Sequence, residues 1–85
     1  MKQITLDGNL FGDAAKVHEY LNNQFDFPDY YGLNLDALYD CLTELSEVEI
    51  ILQMPEEDGA FFQRVLRVFK AAERENEEIH LTIEE

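Results

Sequence analysis

Three stretches of this chain have the pattern of β-strands, and no two are close enough to be joined by a hairpin turn. In the first, Ile4 and Leu6 alternate with Gln3, Thr5 and Asp7, and the run stops at Gly8. The second, Val48 to Met54, is more continuously apolar, as expected of a strand covered on both faces. The third runs from Glu78 to Ile83, with Ile79, Leu81 and Ile83 on one side. Helical periodicity fills the intervals, so the order is strand, helix, helix, strand, helix, strand. Strands separated by helices pair in parallel through right-handed crossovers. The predicted fold is α/β: a small three-stranded parallel sheet covered mainly on one side by about three helices.

The helices have legible ends. Asp13 is a suitable N-cap for a first helix with Ala14, Val17, Leu21 and Phe25 on one face. Pro28 ends it, because the residue before a proline is biased away from helical geometry. Asp29-Tyr30-Tyr31-Gly32 reads as a turn, and Asn34 as the N-cap of a second helix. A third helix is marked by Phe61, Phe62, Val65, Leu66, Phe69 and Ala72. Arg64, Arg67, Lys70 and Arg74 occupy much of its remainder.

Eighty-five residues form one domain, 1–85, with no repeat or linker in view. No apolar run approaches the roughly 20 residues of a membrane span. With Cys41 as the single cysteine, no internal disulfide is possible. The opening residues lack the apolar core of a signal peptide, so the expected compartment is the cytoplasm. The net charge is −13, and between Lys16 and Arg64 there is no basic residue. A surface so acidic repels phosphate backbones, which argues against direct nucleic-acid binding. It either serves solubility alone or attracts a basic protein.

On the second helix Leu35, Leu38, Leu42 and Leu45 share one side, and Asp36, Tyr39, Asp40 and Thr43 share the other. Two aspartates four apart repel, at a cost of roughly 0.2–0.5 kcal/mol to an isolated helix. Such a pair is kept for something outside the core. Its Cβ separation of about 5–6 Å is near that of catalytic carboxylates. A convex helix face, however, lacks the water-excluding cleft that splits two pKa values. Cys41 with His18 has no third, orienting group, so Cys41 reads as a buried structural thiol. His18 is placed on the polar side of the first helix and His80 outward on the last strand. Metal spacings are absent, and no cofactor is expected. Tyr30, Tyr31 and Tyr39 flank the aspartates, either covering the junction of the first two helices or serving as interface anchors. The residues therefore favour a binding module over an enzyme.

The stretch Pro28, Tyr30, Tyr31, Gly32, Asn34, Leu35, Asp36, Ala37, Leu38, Asp40, Cys41, Leu42 and Thr43 resembles the barstar family of inhibitors of barnase-like ribonucleases. Weaker similarity runs through Val17-His18 and Leu21, then Val65 to Lys70 and the last strand. The resemblance implies an α/β fold and an intracellular inhibitor that plugs the active site of a small basic microbial ribonuclease. It implies that Asp40 takes the place of an RNA phosphate, facing arginine and histidine side chains. It further implies that Asp36 pairs with a nuclease arginine and that Tyr30 lies against a catalytic histidine. Gly32 and Asn34 would add backbone or amide contacts, and Thr43 would touch the partner at the helix end. Tyr39 stands where the family has a tryptophan, Ala71 where it has a glutamate, and 54–60 is too short for an extra helix. The free chain is expected to be a monomer. The alternative function is an acidic adaptor or nucleic-acid mimic that binds a basic protein without blocking catalysis.

Overall fold

The computed structural model describes residues 2–27, 34–57 and 59–85. Strand β1 is Lys2–Asp7, β2 is Val48–Gln53 and β3 is Ile79–Glu84. They form one parallel sheet in the order β1-β2-β3, so β2 is central and the other two are edges. The register aligns Ile4 with Ile50 and Leu81, and Leu6 with Leu52 and Ile83. That row of side chains makes the inner face. The three-stranded parallel sheet read from the sequence is therefore the observed one.

Three α-helices cover the inner face: α1 (Ala14–Phe25), α2 (Leu35–Thr43) and α3 (Ala60–Glu75). The core joins Ile4 and Leu6, Val17 and Leu21, Leu38 and Leu42, Ile50 and Leu52, and Val65 and Phe69. The other face of the sheet carries Gln3, Thr5, Asp7, Glu49, Ile51, Gln53, His80, Thr82 and Glu84. Ile51 there is only half-buried. This corrects the reading of the second strand as covered on both sides. Because parallel strands are joined by right-handed crossovers as a rule, and the strand order β1-β2-β3 runs in one direction, the helices stack on a single side.

The ends of the helices follow their cap residues. Asp13 Oδ1 accepts the Lys16 amide at 3.2 Å to open α1. After Phe25 the chain leaves the helix through Asp26 in the left-handed region, φ 54°. One element escaped the sequence reading: a 3₁₀ turn, Gly8–Phe11, between β1 and α1. The Asp7 side chain caps it by accepting the Asn9 amide at 2.9 Å. The turn drives Phe11 into the core, stacked against Phe69 at 6.4 Å and tilted against Phe62 at 5.8 Å. Gly8 is required where it stands, since a Cβ there would run into the Gln53 carbonyl and lie 2.9 Å from the Pro55 ring.

Candidate protein-binding site on the second helix

Asn34 fixes the start of α2, its Oδ1 accepting the Ala37 amide at 2.8 Å. Leu38, Cys41 and Leu42 are buried beneath the helix, and α2 packs on α3. That anchoring turns Asp36 and Asp40 to the outside, where both are exposed. Glu44, four residues beyond Asp40, is exposed as well and extends the acidic line by another turn. The two aspartates are not equivalent in energy. Asp36 lies in the first turn, where the positive end of the helix dipole offsets its repulsion from Asp40. Asp40 lies past the midpoint and has no such compensation.

The far end of α2 is held from a distance. Asn76, in the connection between α3 and β3, donates its side-chain amide to the carbonyls of Leu42, Thr43 and Leu45 at 3.2, 3.1 and 2.8 Å. The Leu42 carbonyl also accepts the Leu45 amide, while Thr43 is the last residue of α2 and Leu45 lies just past it, where a helix no longer supplies partners of its own. The Asn76 Oδ1 accepts the Glu78 amide at 3.0 Å, and its own N–H returns to the Ala72 carbonyl. One side chain thus ties the C-terminus of α2 to the exit of α3. Sequence reasoning missed Asn76, because its partners lie more than 30 residues upstream.

The remaining expected site residues divide by environment. Thr43 is half-buried, and its hydroxyl donates to the Asp40 carbonyl at 2.8 Å. Tyr39, which its spacing sets opposite the leucine stripe with the aspartates, is instead partly buried and packs against the core. Tyr30 and Gly32, together with Tyr31, lie outside the described residues. Cys41 is a buried free thiol at 5% exposure. Burial raises its pKa, and the nearby Glu44 and Asp40 carboxylates raise it further. That is the opposite of what a nucleophile needs.

His18 is where the sequence reading fails. It was placed on the polar side of the first helix, but it is buried at 4% exposure. Seven residues separate it from Phe25, so the two fall on nearly the same line of α1 and both turn to the core. Burial holds its imidazole below the ordinary pKa of 6.5. His80 is exposed on the outer face of β3, as expected. No group of three or more His, Cys, Asp or Glu side chains that could hold a metal is found among the described residues. No described helix is long and apolar enough to cross a membrane.

A short helix capped at both ends and seated on a parallel α/β core presents an exposed line of carboxylates, and this arrangement is compatible with a protein-binding module. The model of the family described as "Barstar (barnase inhibitor)" matches residues 1–84, and the chain belongs to that family. It is also similar to YrdF of Bacillus subtilis (strain 168), which is provisionally named a ribonuclease inhibitor. The two are 36% identical over 91 residues, covering 99% of this chain and 100% of YrdF. Membership of the family supports a role as a ribonuclease inhibitor.

Proposed function

We propose that the protein inhibits a small basic ribonuclease inside the producing cell by covering its active site with the outer face of α2. Asp40 is the central anchor, its carboxylate standing where the nuclease would hold an RNA phosphate. Asp36 pairs with an arginine on the rim, Tyr30 lies against the catalytic histidine, and Gly32 and Asn34 make further contacts. Thr43 and Tyr39 bound the contact at the helix end and base. The observation that carries this reading is the exposure of Asp36 and Asp40 on a helix fixed at both ends. Charges held in place lose less entropy on binding than charges on a mobile segment. The −13 net charge adds long-range attraction for a basic partner.

The test is an RNA-cleavage assay against a barnase-type nuclease with wild-type protein and Asp40→Ala. Losing one partner of a buried charge pair costs about 2–5 kcal/mol, so inhibition should weaken by about thirtyfold or more. Barnase and barstar themselves helped to define that range, so it is not independent of the family. Neutralising Glu56 and Glu57, which lie outside α2, should change little. If those variants matter as much as Asp40→Ala, or if the saturated complex still cleaves RNA, the acidic-adaptor reading replaces this one.

A further inference from the structure

We propose a second docking surface, independent of α2: the groove between α3 and the free edge of β3, which receives an extended acidic segment of a partner polypeptide as a fourth strand. The groove is lined by Lys70, Glu73, Arg74, Leu81 and Ile83. None of these belongs to α2, so the surface is available while α2 is engaged.

The edge of β3 has main-chain groups to offer. Glu78 and Glu84 turn their carbonyls toward the Val48 and Met54 amides of the central-strand segment. By the alternation of a strand, Leu81 and Ile83 direct their N–H and C=O groups outward. One of these outward donors is already engaged. The Leu81 amide donates to Glu73 Oε2 at 2.7 Å, so a carboxylate occupies the position that an added strand's carbonyl would take. Half-buried Leu81 and Ile83 side chains form the floor. Main-chain pairing with side-chain recognition beside it is how extended peptides bind a sheet edge.

Charge selects the occupant. The chain has six basic residues against nineteen acidic ones, yet four of the six lie on α3. Lys70 and Arg74, both exposed, stand on the rim of the groove. They favour acidic side chains on the α3-facing positions of an incoming strand. A second copy is a poor fit. Antiparallel pairing of β3 with itself would set Glu77 and Glu78 of one copy beside Glu84 and Glu85 of the other. A polyphosphate chain has no N–H groups for the outward strand carbonyls and no apolar surface for the Leu81 and Ile83 floor.

Amide NMR titration of the full chain with a short blocked peptide alternating Asp and Thr tests this, with a Lys–Thr peptide as counterpart. Shifts should localise to Leu81, Ile83, Lys70 and Arg74. Glu73→Ala frees the Leu81 donor and removes a repelling charge, so the acidic peptide should bind about tenfold tighter. Glu73→Gln, which keeps an acceptor, should give a smaller gain and also serves if the alanine variant does not fold. Adding Lys70→Glu and Arg74→Glu should abolish binding. The inference is overturned if the wild-type chain does not bind the acidic peptide at millimolar concentration, if neither Glu73 variant binds it more tightly, or if the Lys–Thr peptide binds equally well. It is also overturned if a uridine oligonucleotide, not the peptide, titrates these residues, or if Glu73→Ala instead self-associates through β3.

Discussion

The side chain of Asn76 donates to the carbonyl of Leu45 at 2.8 Å, joining the end of α3 to the segment that leaves α2. The same amide reaches Leu42 and Thr43, so the helix bearing Asp36 and Asp40 is secured by a residue outside the proposed interface. Asn76→Ala strands at least two partly buried carbonyls and should cost about 2–3 kcal/mol in urea unfolding. In a domain this size that lowers Tm by roughly 10–20 °C. Asn76→Asp should cost at least as much, because a carboxylate cannot donate and adds negative charge at a helix C-terminus. In both variants, measured where they remain folded, the ribonuclease complex should dissociate faster, since α2 has lost its far anchor.

Gly8 opens the 3₁₀ turn and Gly12 follows it, and the two should respond in opposite senses to alanine. At Gly8 the new methyl group meets the Gln53 carbonyl and the Pro55 ring, and backbone there cannot yield cheaply. Gly8→Ala should destabilise by about 1–3 kcal/mol. At Gly12 nothing lies within 4 Å of the added carbon, and φ is −82°. Gly12→Ala should be neutral or stabilise by about 0.4–1 kcal/mol, through the unfolded chain. Urea titration of the pair measures both.

His18 makes stability depend on mildly acidic pH. The folded protein holds this imidazole below 6.5, while the unfolded chain leaves it near that value. Between the two, the unfolded state binds the extra proton. Stability is therefore fully present above about 6.5 and declines as pH falls toward the folded value. NMR titration should place the His18 midpoint below 6.5. Replacing His18 with glutamine should flatten that part of the stability profile relative to wild type, whatever the change in absolute stability.

The parts legible in the sequence were those fixed by local rules. Alternation at Ile4 and Leu6 and at Ile79, Leu81 and Ile83 located the edge strands. Asn34 and Asp13 located helix starts, and the leucine stripe of α2 turned Asp36 and Asp40 outward. The second strand misled because Ile51 follows Ile50 directly, yet only Ile50 faces the core. Phe11 was hidden among glycines, where no periodicity marks a buried aromatic. His18 is polar, yet its position one heptad before Phe25 sets it on the buried line of α1, where its burial outweighs its polarity. Asn76 and Glu73 act on main-chain groups that only the folded chain brings within reach.

The aspartate pair implies a division between stability and inhibition that the two positions should show differently. Asp40 has Asp36 four residues before it and Glu44 four after it, and it gains nothing from the helix N-terminus. Asp40→Asn relieves both repulsions, each worth roughly 0.2–0.5 kcal/mol, and should stabilise the free protein by about 0.5–1 kcal/mol. Asp36→Asn relieves one repulsion but gives up a first-turn charge worth about 0.3–1 kcal/mol, so its net effect should be near zero or destabilising. Both substitutions should weaken inhibition, Asp40→Asn more strongly and chiefly through faster dissociation. Thermal unfolding at low ionic strength, where charge effects are least screened, reads the first comparison, and inhibition kinetics read the second. An Asp40→Asn protein that is both less stable and fully inhibitory would show that the carboxylate serves the helix, not a partner.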